Sequence, residues 1–215
     1  MKNLLRKEFK LAMHPTVPLF LALSTMLLIP AYPYYVVFFY TCLGIFFVCM
    51  TGRENNDIPY TLALPVAKRD AVRARVLITV AIQMAQLVTA ALVAVLRAKL
   101  GVGTNDVGMD ANVALFGIAL VLFGLFNHMF FIRYYKDPLK VGKAFVISST
   151  LYFVYMIIVE VCVHVFPFFQ NRLDTPDPLF LPEKLATLAF GFVLYALLTW
   201  DACRKAEASF EQLDC

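Results

Sequence analysis

The sequence predicts an all-α polytopic membrane protein with six transmembrane helices, an N-terminal amphipathic interfacial helix and a short cytoplasmic helix. Of the 215 residues, 61% are hydrophobic and 16% are charged, whereas soluble domains carry about 25% charged residues. The apolar residues also come in blocks of about 20, the length a helix needs to cross a bilayer. Basic residues concentrate between alternate blocks. We therefore expect one transmembrane domain over residues 1–215.

The N-terminal segment, residues 1–14, is predicted to form the amphipathic helix. Its basic residues recur every four positions and share one helical face, while apolar residues fall on another. Such a helix suits an anionic membrane surface, although an ordinary solvated helix is the alternative. The basic face holds Lys2, Arg6, Lys10 and His14, and the apolar face holds Leu5, Phe9, Ala12 and Met13.

Six apolar spans follow. The first run extends to residue 50 and is too long for a single crossing. Pro30 and Pro33 divide it among several tyrosines, and because proline ends helices and tyrosine favours the interface, a tight hairpin is predicted there. The predicted spans are 15–29, 33–51, 76–96, 113–132, 144–166 and 184–200.

The distribution of positive charge predicts the orientation. Fifteen of the 19 lysines and arginines lie before the first span, in residues 52–75 and 133–143, or after the last span. Short loops rich in Lys and Arg stay in the cytoplasm. Both termini are therefore expected on the cytoplasmic side of the plasma membrane.

The loop of residues 52–75 contains a second helical candidate over 58–64. Asn56 or Asp57 could cap its start, Pro59 suits its first turn, and Pro65 would stop it. The alternative is a plain solvated connector.

Polar residues inside the spans are the candidates for a substrate path or a dimer interface. Thr79, Gln83 and Gln86 share one face of span three, which should look into the bundle or across a subunit interface. Glu160 and His164 lie one turn apart in span five. They could form a structural pair, line a transport path, or act in catalysis or metal binding.

No motif in the sequence indicates chemistry within this chain. The strings typical of a P-loop, a serine hydrolase or a zinc protease do not occur, so no catalytic, cofactor or metal residue and no nucleic-acid partner is predicted. Asn127 and His128 lie near the predicted cytoplasmic end of span four, where we expect them to snorkel or to cap the helix.

The whole chain resembles the type-2 ABC-transporter permeases, in particular the small bacterial members with six spans. The resemblance rests on the basic N-terminal helix, the Pro/Tyr hairpin and the loop GRENNDIPYTLALPVAKRDAVRAR of residues 52–75. Its most distinctive part is the pattern LPV-x-(K/R)-(R/K)-(D/E)-x-V at residues 64–72.

The resemblance implies a permease that pairs as a homo- or heterodimer and associates with a separate ATP-binding subunit, which holds ATP and Mg. It makes the short helix a coupling helix that enters a groove on the ATPase, with Pro65 ending it. The residues implied to face the ATPase are Glu54, Asp57, Tyr60, Leu62 and Leu64.

The expected function is ATP-driven export of an amphipathic peptide, lipid or drug-like substrate, in contact with membrane lipid. Two alternatives remain. One is a non-transporting membrane scaffold or sensor subunit, and the other is an intramembrane enzyme that uses Glu160 and His164.

Overall fold

The computed structural model describes residues 2–63 and 65–212, and the regular secondary structure of this part of the chain is entirely helical, without strands. Helix α1 continues as a π-helical turn at Glu8–Ala12, and α2 continues as a 3-10 helix at Leu23–Leu28. The α-helices are α1 (Lys2–Lys7), α2 (Thr16–Ala22), α3 (Tyr35–Glu54), α4 (Asp57–Leu62), α5 (Lys68–Lys99), α6 (Val113–Lys136), α7 (Val141–Val165) and α8 (Leu181–Glu211).

Five of these helices are long and apolar enough to cross a membrane: α3, α5, α6, α8, and α7 with the 3-10 turn before it. The prediction of an all-α polytopic membrane protein is thereby confirmed. The predicted first span coincides with Thr16–Leu28, which is apolar but shorter. Its α-helical and 3-10 portions together rise about 22 Å, less than the hydrocarbon thickness of about 30 Å. A sixth crossing stays a prediction.

Several helices extend past their predicted span ends. Helix α5 begins at Lys68, eight residues before the predicted span, and α8 continues to Glu211. The added turns are polar and pair with each other: Arg69 binds Glu211, and Arg73 Nε lies 2.8 Å from Glu207 Oε1. Hydropathy marks only the apolar part of a helix, so charged turns beyond the bilayer are missed.

Helix α6 lies at the centre of the bundle and packs most closely against α8. A Cβ atom added to Gly191 would lie 2.0 Å from the carbonyl oxygen of Gly117, and one added to Gly117 would lie 2.6 Å from Thr187 O. Only residues without a side chain permit such an approach of two backbones. The two glycines therefore fix α6 and α8 in direct contact.

One end of the bundle gathers the segments predicted to be cytoplasmic, and we call it the basic face. Here α1, α4, the turn between α6 and α7, and the end of α8 lie together. Arg53, near the end of α3, donates to Leu139 O in the α6–α7 turn. The ion pairs between α5 and α8 lie at the same end.

The opposite end, the capped face, is closed by three interlocked segments: residues 29–34, 100–112 and 166–180. The backbone N–H of Asp106 donates to Pro30 O at 3.0 Å, and that of Asp110 donates to Asp174 Oδ1 at 2.8 Å. Burial raises the pKa of the Asp174 carboxyl. The cap therefore ties three loops that are far apart in the sequence.

Buried ion pairs reinforce the capped face. Arg97 Nη1 lies 2.9 Å from Asp110 Oδ1, and Lys184 Nζ lies 2.9 Å from Asp177 Oδ1. The Lys184 side chain is fully buried, and its ammonium group also donates to Thr175 O at 2.5 Å. These pairs satisfy two of the four basic residues predicted for this side of the membrane.

Candidate coupling site

Helix α4 follows α3 after a two-residue turn. Asn56 adopts a left-handed backbone with φ 51°, a conformation that Asn tolerates better than most residues. It occupies the N-cap position, but its side chain makes no capping hydrogen bond, so the predicted cap is wrong. The helix spans Asp57–Leu62 rather than residues 58–64, and Thr61 Oγ1 donates to Asp57 O at 2.7 Å.

Four charged side chains join α4 to two other helices, and we call them the charge quartet: Lys7, Glu8, Asp57 and Arg75. Lys7 Nζ lies 2.6 Å from Asp57 Oδ1 and 3.1 Å from Glu8 Oε1. Arg75 pairs with Glu8 through Nε and with Asp57 through Nη2. The quartet contains two cations and two anions, so its formal charges cancel.

The quartet is shielded from water. Glu8, Asp57 and Arg75 are 2%, 7% and 3% exposed, and the rings of Tyr134, Tyr135 and Phe210 line the same small enclosed space. Charges in such surroundings are tolerated only when they are paired. The quartet therefore joins the N-terminal segment, α4 and α5 into one unit.

The lack of a side chain at Gly52 makes room for the quartet. A Cβ atom there would lie 3.1 Å from Arg75 Nη1. The same guanidinium nitrogen reaches Cys49 Sγ at 3.9 Å. Gly52 and Cys49 lie on one face of α3 near its end, so this helix forms the wall behind the arginine.

Two residues implied to face an ATPase are exposed at the basic face, together with the proline implied to end the coupling helix. Tyr60 is 57% exposed, and Glu54 and Pro65 are also exposed. A surface cavity of about 400 Å³ lies beside the tyrosine ring. Its lining residues are Asn55, Asn56, Asp57, Pro59 and Tyr60.

The remaining implied coupling residues are placed differently. The Asp57 side chain points inward and forms ion pairs with Lys7 and Arg75. The expectation that it faces a partner protein is therefore wrong. Leu62 is partly buried and packs against the main core. Leu64 lies outside the described residues.

The N-terminal helix also departs from its predicted register. The π-helical turn at Glu8–Ala12 adds to the residues per turn, and the helix has ended before His14. His14 leaves the predicted basic face and stacks on Phe47 with ring centroids 5.2 Å apart. Phe9 stays 64% exposed, as an apolar residue at a membrane surface would be.

The polar face of α5 looks into the bundle. Gln83 Nε2 donates to Asn127 Oδ1 at 2.8 Å, and its Oε1 accepts from Asn127 Nδ2 at 2.9 Å and from the Tyr195 hydroxyl at 2.8 Å. Asn127 Nδ2 also donates to Thr199 Oγ1 at 3.1 Å. These bonds connect α5, α6 and α8 within one chain.

The position of Asn127 differs from the prediction. It is fully buried and neither snorkels nor caps, because α6 continues to Lys136 and places it more than two turns inside the helix. His128 faces another side of α6, where its Nδ1 lies 3.3 Å from Asp201 Oδ2.

Thr79 and Gln86 are buried on the same side of α5 as Gln83. Gln86 Nε2 donates to Ser24 Oγ at 2.9 Å, which ties α5 to the short second helix. The three residues predicted to share a face do so. Gln83 uses most of its hydrogen-bonding capacity inside the chain, whereas Gln86 Oε1 has no partner among the described residues.

Glu160 and His164 lie near the end of α7 at the capped face. His164 Nδ1 is 4.0 Å from Glu160 Oε2 and 2.8 Å from Glu160 O, and the histidine side chain is 61% exposed. The glutamate packs against Gly108, where an added Cβ would lie 2.4 Å from its Oε1. Within the described ranges no group of three or more His, Cys, Asp or Glu residues could hold a metal ion.

The sequence-based interpretation missed the charge quartet, although one signal pointed to it. Glu8 is the first acidic residue of the chain, and the next is Glu54. A single carboxylate among basic residues indicates a specific ion pair rather than surface charge. Arg75 was counted with the cytoplasmic loop of residues 52–75, and the burial of its side chain on α5 was not predicted.

Comparison with known proteins identifies the family. The sequence profile described as ABC-2 family transporter protein matches residues 3–200. No curated protein and no solved structure shows a significant match to the chain. The family consists of the membrane subunits of ABC transporters, which associate with ABC ATP-binding subunits. With its apolar helices and its nearly full-length match, the chain belongs to the ABC-2 transporter family and is a multi-pass membrane permease.

Proposed function

We propose that the chain is the permease of an ATP-driven exporter and is coupled to a separate ATPase through residues 52–75. The transported substrate is an amphipathic peptide, a lipid or a drug-like molecule. The partner binds ATP and Mg, and this chain converts the partner's movement into a rearrangement of its membrane helices. The chain itself hydrolyses no nucleotide.

The observation that carries the proposal is the two-sided character of α4. On one side Tyr60 is exposed beside a surface cavity of about 400 Å³. On the other side Asp57 is buried and paired with charges of α1 and α5. An exposed aromatic ring next to a cavity is a typical anchor of a protein interface.

The charge quartet supplies the route for the movement. A force on Tyr60 displaces α4, and Asp57 transfers the displacement to Lys7 and Arg75 because buried ion pairs resist separation. Arg75 belongs to α5, a helix long and apolar enough to span the membrane. Binding energy at the basic face would thus reach the transmembrane region through two side-chain contacts.

The proposal includes a pair of permeases in the plasma membrane, with both termini in the cytoplasm. Apolar side chains of α7 and α8 face outward from the bundle; Val154, Ile157 and Phe190 are each about half exposed or more. Lipid or a second permease would cover them. The positive charge at the basic face supports the cytoplasmic assignment.

Co-purification tests the proposed interface. The full chain is co-expressed with the ABC ATP-binding protein encoded beside it, and the complex is captured through a tag on the chain. We expect Tyr60→Ala to reduce recovery of the ATPase, since an interface anchor contributes about 2 kcal/mol or roughly thirtyfold in affinity. Tyr60→Phe should retain most binding because it keeps the ring.

Phe168→Ala is the matched control, because Phe168 is equally exposed but belongs to the capped face. It should leave recovery of the ATPase unchanged. Equal recovery with wild type and Tyr60→Ala, or a similar loss with Phe168→Ala, would contradict the proposed docking site.

A transport assay separates an exporter from a scaffold or sensor. Inside-out vesicles containing the complex are given ATP and a fluorescent phospholipid analogue, an amphipathic probe. A permease that exports such molecules should move the probe only when ATP is hydrolysed. A complex that assembles and hydrolyses ATP but never moves amphipathic probes would favour the non-transporting alternative.

A further inference from the structure

A basic cavity lies between α6 and α7 at the basic face, and no residue of α4 lines it. It has a volume of about 460 Å³. Basic side chains from both helices and from the turn between them surround it, together with two apolar residues and one carboxylate. The lining residues are Arg133, Lys136, Asp137, Lys140, Lys143, Ala144 and Ile147.

The cavity carries an excess of positive charge. Its one carboxylate, Asp137, pairs with Lys140 at 2.8 Å, and this bond lowers the pKa of Asp137. Arg133 donates to the carbonyl oxygen and the sulfur of Met129 and forms no ion pair within the described part of the chain. Lys136 and Lys143 have no acidic partner among residues 2–63 and 65–212. Three cationic groups are left to bind an anion.

The cavity is at the level of the membrane surface. It lies where α6 ends and α7 begins, and both helices are long and apolar enough to span a bilayer. Ala144 and Ile147 form its apolar wall. Near it Leu139 and Val146 are 76% and 63% exposed, so apolar surface continues from the charged rim toward the hydrocarbon region.

We propose that this cavity binds the phosphate group of an anionic phospholipid in the adjacent leaflet. The lipid phosphate pairs with Arg133, Lys136 and Lys143, and its glycerol and upper acyl chain lie along Ala144 and Ile147. Basic pockets between transmembrane helices recognise lipid headgroups in this way. A zwitterionic lipid binds less well because its own ammonium group opposes the positive charge of the cavity.

The cavity distinguishes a lipid from a soluble anion by its shape. A free phosphate gains only the charge contacts, whereas a phospholipid also covers the apolar wall and the exposed Val146. The lipid would thereby join α6 to α7 on the side of the bundle away from α8. This site is independent of the docking surface proposed for Tyr60.

Native mass spectrometry of the full chain in an uncharged detergent tests the proposal. Phosphatidylglycerol and phosphatidylcholine are added at equal concentrations, and the bound fraction of each is measured. We expect phosphatidylglycerol to be retained preferentially. The variant Lys136→Gln/Lys143→Gln should lower its affinity roughly 25-fold, since each basic group near an anionic lipid contributes about fivefold.

Two variants serve as controls. Lys136→Arg/Lys143→Arg keeps both charges and should retain the preference. Lys10→Gln/Lys99→Gln removes two exposed positive charges elsewhere and should also retain it. Because all four lysines are exposed, these variants should fold, which size-exclusion chromatography verifies.

Inorganic phosphate and glycerol 3-phosphate are added in separate experiments as soluble competitors of phosphatidylglycerol. Neither should displace phosphatidylglycerol at equal concentration if the apolar wall contributes to binding. Equal retention of the two lipids by wild type, an equal loss in the Lys10/Lys99 control, or full displacement by inorganic phosphate would each overturn the proposal.

Discussion

Asp57, the first residue of α4, and Arg75, inside α5, form an ion pair that is almost closed to water, with side chains 8% and 4% exposed. The two residues are 18 positions apart in the sequence. The same two side chains complete a ring of contacts through Glu8 and Lys7. A helix of only six residues is thereby fixed to a helix of 32 residues.

Removing one charge of the quartet should lower the free energy of unfolding, because the remaining charges lose their partners. Arg75→Met leaves two carboxylates facing one ammonium group in a buried site, which costs about 3–5 kcal/mol of unfolding free energy. Asp57→Asn/Arg75→Met removes one charge of each sign and should cost less than the sum of the two single variants. Unfolding titrations in mixed detergent micelles measure all three values.

Arg73→Met is the comparison for this prediction, because Arg73 also pairs with a glutamate but is half exposed. An exposed ion pair contributes about 1 kcal/mol or less. Additive costs for Asp57 and Arg75, or an Arg75→Met cost as small as that of Arg73→Met, would show that the quartet does not act as a unit.

The hydrogen bonds of Gln83 should contribute more to stability than those of Gln86. Gln83→Leu removes the acceptor of Tyr195 and both bonds to Asn127, and the expected cost is about 1–2 kcal/mol. Gln86→Leu should cost less, because Gln86 Oε1 has no hydrogen-bond partner within the described part of the chain. The same unfolding titrations compare the two, and a larger loss for Gln86→Leu would refute the network.

The glycine contact between α6 and α8 should tolerate no side chain. Gly191→Ala places a Cβ atom against the backbone of Gly117, and the helices must move apart at a cost of about 1–3 kcal/mol or more. Gly142→Ala is the control, since a Cβ atom added there has no described neighbour within 4 Å beyond the backbone of its own helix, and alanine favours a helix. Thermal unfolding followed by size-exclusion chromatography should show a lower Tm for Gly191→Ala alone.

The thermal stability of the protein should depend on pH through Asp174, a residue of the capped face. Burial raises the pKa of its carboxyl, so the protonated form is favoured in the folded state. The Asp174 carboxyl therefore adds to the free energy of unfolding mainly when it is protonated. This contribution is fully present below the ordinary pKa of about 3.9 and is lost as pH rises through the raised pKa. The Tm of Asp174→Asn minus the Tm of wild type should therefore increase as pH rises over this interval. A difference that stays constant with pH would contradict the assignment to Asp174.

Much of the fold could be predicted from the sequence because each helix that crosses a bilayer needs about 20 consecutive apolar residues. The apolar blocks located five long helices, and the proline at residue 65 indicated the end of a short one. The helix itself ends earlier, at Leu62. The extension of α8 beyond the bilayer was missed, since charged turns such as that of Glu207 are not apolar.

The internal polar contacts could not be predicted in the same way. Lys7 and Asp57 are 50 positions apart, and no periodic pattern indicates that two distant charges will meet. Asn127 was placed near a helix end because hydropathy stopped the span at residue 132, whereas the helix continues to Lys136. A shift of one turn decides whether an amide meets water or another side chain.

The contact of Gly117 with Gly191 also limits where a cargo could travel. Two backbones that touch leave no gap between α6 and α8 at this point, not even for a water molecule. A substrate path beside this chain, as proposed above, therefore does not pass between Gly117 and Gly191, where the backbones of α6 and α8 touch.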